Sequence, residues 1–199
     1  MRTGIFGGTF DPPHLSHLIL AEEAMHQMDL ERLLFVLTPD PPHKQDQLIT
    51  SSAERLLMLE AAIGDNNKFE ISRVEINRPG PHYSVDTVRL LQKEFPTAQL
   101  IYLMGGDTLG FLPGWSRPEE FIKACYQIGV MRRPDDKIDL AAIELELPGV
   151  SEKVQFIEAP LLEIASHQIR RRVAEGRPYR YYVSPAVVEV IKDRGIYRS

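Results

Sequence analysis

The residues best suited to chemistry stand near the start of the chain, in the string Gly7-Gly8-Thr9-Phe10-Asp11-Pro12-Pro13-His14-Leu15-Ser16-His17. A short apolar run precedes it and a helical pattern follows, which puts glycines at a strand tip and two histidines at a helix start. Glycine lets a phosphate approach the main chain closely, and an uncapped helix N-terminus offers N–H donors and partial positive charge to an anion. His14 and His17, three residues apart, share a helix face and could both donate to a phosphate. A glycine pair alone reads as a turn beside solvated histidines. The histidine spacing and the Thr-Phe-Asp-Pro insert favour an anion site.

Ile164 to Arg172 offers a second such element: Ser166 sits where a helix should begin, and Arg170 lies one turn later on the same face. The plain alternative is a basic surface turn; Arg170 is taken as the ligand, with Arg171 and Arg172 solvated. Trp115, the only tryptophan, follows Leu-Pro-Gly and precedes Ser116-Arg117, a loop setting in which a base-like ring could stack on it. The competing role for a lone tryptophan is a core anchor. Gly105 and Asp107 follow an apolar run and could meet a nucleotide there, although Asp107 could instead cap the next helix. His26, His43 and His82 lack metal-cage spacing, and one cysteine, Cys125, permits neither an intrachain disulfide nor an evident structural zinc site.

The elements that must position these residues alternate. Strand candidates are Thr3–Phe6, Leu33–Leu37, Phe69–Val74, Gln99–Met104, Gln127–Met131 and Val154–Ile157, apolar on successive residues as a parallel sheet covered on both faces requires. Helix candidates are Leu15–Met28, Ser52–Ile63 behind a Ser51/Glu54 capping box, Ser84–Glu94, Pro118–Ala124, Ser166–Ala174, and Pro185–Asp193 behind Ser184-Pro185. This is the rhythm of a doubly wound α/β sheet, which binds its ligand beyond the strands' carboxyl ends. The aperiodic, proline-rich segment from Thr38 to Thr50 reads as an excursion near that site.

Of 199 residues, 43% are apolar and 26% charged, which places the chain among globular proteins and away from disordered or fibrous ones. At this length roughly 70% of the unfolded surface is buried, so a core needs no metal or disulfide to hold it. A net charge of -5 argues against a general nucleic-acid or anionic-membrane binder. No apolar stretch approaches the roughly 20 residues of a membrane-spanning helix, and the N-terminus lacks a signal-peptide pattern. The expectation is a cytoplasmic protein; oligomeric state, a homo-oligomer included, is left open.

The string Gly7-Gly8-Thr9-Phe10-Asp11-Pro12 followed by His14-Leu15-Ser16-His17 resembles the signature of the nucleotidylyltransferase superfamily. The wider sequence is similar to the bacterial nicotinate-nucleotide adenylyltransferases. The resemblance runs on through Pro42-His43-Lys44, Tyr83-Ser84-Val85-Asp86-Thr87, Gly105-Gly106-Asp107, Leu112-Pro113-Gly114-Trp115-Ser116-Arg117 and Ile164-Ala165-Ser166-His167-Gln168-Ile169-Arg170.

It implies one Rossmann-like nucleotidylyltransferase domain, 1–199, with a C-terminal helical part from about 163. It also implies transfer of AMP from ATP to nicotinate mononucleotide in NAD biosynthesis, giving deamido-NAD and pyrophosphate. His14, His17, Lys44 and Arg170 would be catalytic. Gly7, Gly8, Thr9, Phe10, His17, Gly105, Asp107, Ile164, Ser166 and Arg170 would bind ATP; Lys44, Ser84, Trp115 and Ser116 would bind the acceptor. Mg2+ would arrive on the ATP phosphates, held largely through water, with Asp11 either near it or stabilising the turn before Pro12.

The chain departs from the pattern at Ser16, where glycine is usual, at Ala165 and His167, where a serine and a threonine are usual, and at Ser84, often threonine. Rival readings keep the chemistry but change the acceptor, to nicotinamide mononucleotide or a phosphopantetheine, or make the chain a non-catalytic nucleotide sensor.

Overall fold

Runs that stay apolar on consecutive residues can be buried only between two layers, and here they form the strands of one sheet. The computed structural model of the chain describes residues 1–40, 49–132, 138–160 and 162–198. Its strands are β1 (Arg2–Gly8), β2 (Arg32–Leu37), β3 (Phe69–Ser72), β4 (Gln99–Gly105), β5 (Gln127–Met131) and β6 (Val154–Ile157). They pair in the order β3-β2-β1-β4-β5-β6, each neighbouring pair parallel. The winding reverses between β1 and β4, the switch point beyond whose carboxyl ends such a sheet binds its ligand.

Side chains alternate across the strands and build two cores. Phe6, Leu33, Phe35, Leu37, Ile101 and Leu103 face one; Ile5, Leu34, Val36, Leu100 and Met104 face the other. The helices are α1 (Leu15–Gln27), α2 (Ser52–Ile63), α3 (Ser84–Glu94), α4 (Gly106–Gly110), α5 (Pro118–Ala124), α6 (Leu140–Glu146), α7 (Val150–Lys153), α8 (Ser166–Ala174) and α9 (Pro185–Asp193). Helices α1, α2, α8 and α9 supply the first core, and α3, α5, α6 and α7 the second. The Rossmann-like expectation is borne out.

Five elements differ from the sequence expectation. β3 stops at Ser72, the last residue paired with β2, because the chain turns back with Asn77 N–H donating to Arg73 O. Helix α4 and a 3-10 turn at Leu112–Gly114 occupy a stretch read as loop, and α6 and α7 one left unassigned. Among the described residues no helix is long and apolar enough to cross a membrane.

Candidate active site

The tip of β1 turns sharply. Phe10 holds a left-handed φ of 48°, a conformation that costs a non-glycine residue energy and persists only where packing enforces it. Its ring lies edge-on to Phe6 and to His17, with centroids at 5.6 and 5.2 Å. A Cβ on Gly8 would meet that ring at 2.8 Å, so the missing side chain of Gly8 makes room for Phe10. Gly8 was expected to admit a phosphate; its first use is this contact. Phe10 is correspondingly core, at 2% exposure.

His14 caps α1, and the rings of His14 and His17 stack with centroids 3.7 Å apart. The main-chain N–H of His14 donates to His17 Nδ1 at 3.1 Å. An acceptor Nδ1 places the neutral ring's proton on Nε2, making that nitrogen a donor. The first turn of α1 holds no acidic residue to compete for an anion. Ser16, the departure between the histidines, donates its hydroxyl to Leu162 O at 3.2 Å and ties α1 to the chain leading into α8.

Helix α8 returns to the same loop. Its N-cap is Ala165, which offers no side-chain cap, and its first turn also lacks acidic residues. Ser166 donates to Pro12 O at 2.9 Å, and Arg170 Nη1 donates to Asp11 O at 2.8 Å. The Ser166 hydroxyl was expected on a phosphate; its proton is given to Pro12 O instead. His167 is exposed beside them. Ile164 packs partly against the first core. Arg172, expected to be solvated, donates to Pro178 O at 3.0 Å and lies over Tyr182.

Asp11, weighed in the sequence as a turn residue, organises this loop with two residues that sequence reasoning missed, Tyr197 and Arg55. Asp11, 2% exposed, accepts from Tyr197 Oη at 2.6 Å through Oδ1 and from Thr50 N at 3.2 Å through Oδ2. Both oxygens are thus engaged by protein donors, so Asp11 acts in the turn. Arg55, 1% exposed, donates to Thr9 O, Thr38 O, Pro39 O, Thr50 O and Ser52 Oγ. Burial lowers its pKa, and Asp11 and Asp40 partly restore it. Lys44 lies outside the described residues, but the stems of its segment, at Thr38, Pro39 and Thr50, are held by these two side chains.

Two of the acceptor candidates, Ser84 and Trp115, meet at Tyr102 of β4, a residue that sequence reasoning did not single out. Ser84, the first residue of α3, has Oγ 3.2 Å from Tyr102 Oη, and the Tyr102 ring meets Trp115 edge-on at 6.3 Å. Burial raises the Tyr102 pKa, so its hydroxyl stays protonated. A Cβ on Gly7 would approach that hydroxyl to 3.0 Å, which joins this cluster to the β1 tip. Trp115 also packs on Phe121 at 5.2 Å and remains half-buried, so it is anchored at the rim of the core rather than inside it. Its loop is bound to α3 by Arg117 Nη2, 2.6 Å from Asp86 Oδ2, a contact that raises the arginine's pKa. Ser116 is exposed between them. Gly105, not Asp107, is the N-cap of α4; Asp107 accepts from Thr108 N at 2.9 Å and stands exposed at the end of β4.

A family model for cytidylyltransferase-like domains matches residues 5–172. A curated relative from Thermomicrobium roseum, described as a probable nicotinate-nucleotide adenylyltransferase, is 45% identical over 198 residues, covering 100% of this chain and 92% of its own. The nicotinate-nucleotide adenylyltransferase of Bacillus subtilis is 36% identical over 100% of this chain and 99% of its own. The chain belongs to the nicotinate-nucleotide adenylyltransferases. The same fold is seen in nicotinic acid mononucleotide adenylyltransferase of Plasmodium falciparum complexed with NaAD, at a TM-score of 0.79 and 18% identity over 98% of this chain and 97% of that one. Members of this family are transferases.

Proposed function

We propose that this chain transfers the AMP unit of ATP to nicotinate mononucleotide, forming deamido-NAD and pyrophosphate. The observation that carries the reading is the meeting of two helix N-termini on one loop, with Ser166 on Pro12 O, Arg170 on Asp11 O and His17 in the first turn of α1. Such ends attract phosphates through oriented N–H groups and partial positive charge.

A phosphate oxygen of the acceptor attacks the α-phosphorus of ATP. The new P–O bond forms as the bond from that phosphorus to the oxygen bridging the β-phosphorus breaks, and the electron pair leaves on pyrophosphate. No side-chain nucleophile is needed; the protein positions the partners and neutralises charge on the phosphate oxygens. His17 Nε2–H donates to the α-phosphate, with His14 beside it, and Arg170 stabilises the departing pyrophosphate. Lys44 adds a further cation by family resemblance. Trp115 stacks on the pyridine ring, and main-chain amides at Ser84 and Ser116 receive its carboxylate. Gly105 and Asp107 meet the nucleotide at the end of β4.

Mg2+ supplies charge neutralisation on the ATP phosphates. Among the described residues no three His, Cys, Asp or Glu side chains converge, and both Asp11 oxygens already accept hydrogen bonds. The chain's contribution is therefore donors to the phosphates, with the ion held on the nucleotide. Residues 1–199 are read as one nucleotidylyltransferase unit whose part from about 163 completes the phosphate site. A cytoplasmic setting accords with the single buried thiol of Cys125.

Pyrophosphate release with ATP and Mg2+ tests the reading when nicotinate mononucleotide, its amide and phosphopantetheine are compared at matched low concentration. A kcat/KM highest for the acid is expected. Preference for another acceptor overturns the Trp115 and Ser84 assignments, and no turnover with any overturns the reaction.

A further inference from the structure

Tyr197 lies 186 residues from Asp11 in sequence, yet its hydroxyl donates to Asp11 Oδ1 at 2.6 Å and sits 3.6 Å from Met58 Sδ. A buried carboxylate oxygen must be satisfied, and losing its donor leaves it to recruit another. Two arginines are near. Arg55 is held in place by the carbonyls of Thr9, Thr38, Pro39 and Thr50. Among the described residues Arg170 donates to Asp11 O, is 28% exposed, and has Nη1 3.9 Å from Asp11 Oδ2, an ion pair longer than a hydrogen bond.

We propose that Tyr197 is a positioning residue for the ATP phosphates: its hydroxyl, together with Thr50 N–H, occupies the Asp11 carboxylate, so that Arg170 stays in a loose 3.9 Å ion pair with Asp11, available to the nucleotide, rather than in a hydrogen-bonded one. Without that hydroxyl the carboxylate turns toward the less tethered of its two cations and closes the gap to Arg170. A guanidinium drawn into an ion pair delivers less charge to a phosphate. Tyr197 touches no substrate in this account and acts through Asp11 and Arg170. The inference rests on the reading that Arg170 serves the ATP phosphates.

The test is a double-mutant cycle in the full chain with Tyr197→Phe, Arg170→Lys and both, reading KM for ATP, KM for nicotinate mononucleotide, kcat and the thermal midpoint. Phenylalanine keeps the ring packing and removes only the hydroxyl. The expected result is a fall of about tenfold in kcat/KM for ATP in Tyr197→Phe, from loss of one hydrogen bond to a charged group, with KM for the acceptor unchanged. In the Arg170→Lys background the same change should cost less than about twofold, because the cation it positions has already gone. Additive losses, or a lowered midpoint with unaltered kinetics, overturn the positioning role alone. If Arg170→Lys itself leaves ATP kinetics untouched, the assignment of Arg170 to the phosphates fails and the positioning role falls with it. Calorimetric binding of a non-hydrolysable ATP analogue gives the same cycle without turnover, should either variant be too slow to assay.

Discussion

The Nδ1 atom of His17 accepts the main-chain N–H of His14 at 3.1 Å, so the two nitrogens of one ring have separate duties. Nδ1 closes the helix start, and Nε2 carries the proton that the proposed function assigns to a phosphate. Asparagine reproduces the position of Nδ1 and glutamine that of Nε2. His17→Asn should therefore keep near-normal stability and lose roughly 100-fold in kcat, the cost of one preorganised donor to a developing oxyanion. His17→Gln should show the opposite pattern, with more activity retained and a lower thermal midpoint. Equal activity in the two variants would sink the division of labour.

Arg55 is a guanidinium among carbonyl oxygens, with a pKa lowered by its burial and an exposure of 1%. Removing it strands the carbonyls of half-buried Thr9, Thr38, Pro39 and Thr50, which lose a charged donor. Arg55→Met should lower the unfolding free energy in urea by about 3 kcal/mol. Lysine keeps the charge but not the fork, and Arg55→Lys should recover less than half of that loss. A methionine variant as stable as the parent would show that the network contributes nothing net.

The sequence made the sheet and most of its helices legible because their signals are local. Successive apolar residues mark β1, β2 and β4, and Ser51 and Ser184 accept the N–H of Glu54 and Val187 as helix caps do. Helix α4 and the 3-10 turn escaped because Gly105, Gly106, Gly110, Pro113 and Gly114 break periodicity within a few residues. Arg55 left a readable trace: it occupies the buried face of α2 with Met58, Leu59, Ala62 and Ile63, where a charge has to be paired. Tyr197 left none, since its meaning depends on a residue at the other end of the chain. His17 and Arg170 could be picked out by type and spacing, whereas the occupancy of Asp11, Ser16 and Ser166 by protein partners appears only once the loops are folded together.

Trp115 is fixed by Tyr102 and Phe121 on one side, and its loop by Arg117 on Asp86. Base–aromatic stacking lost on truncation costs about tenfold or more in binding. Trp115→Ala should raise KM for nicotinate mononucleotide by that factor, Trp115→Phe by less, and neither should shift KM for ATP. Arg117→Ala, which frees the loop but leaves the ring, should raise the acceptor KM roughly threefold, in keeping with a partly exposed ion pair. An unchanged acceptor KM in Trp115→Ala would make the residue a core-rim anchor only.

Burial pushes the Cys125 thiol up to about 12, with the charge of Lys153 acting weakly the other way. An unfolded thiol titrates near 8.5, so the folded state binds the proton more tightly than the unfolded one. Stability from this group is therefore complete below about pH 8.5 and is lost progressively as pH rises toward the folded value. The thermal midpoint should fall between pH 9 and 11, and Cys125→Ala should flatten that slope whatever it does to stability at pH 7. The slope should not vanish, because burial also raises the pKa values of Tyr102 and Tyr197. In the same range a thiol-reactive disulfide should modify the native protein far more slowly than the urea-unfolded chain, since Cys125 is 1% exposed and protonated. Equal modification rates for native and unfolded protein, or identical slopes for the parent and Cys125→Ala, would mean that the thiol is not sequestered at the end of α5 as its surroundings require.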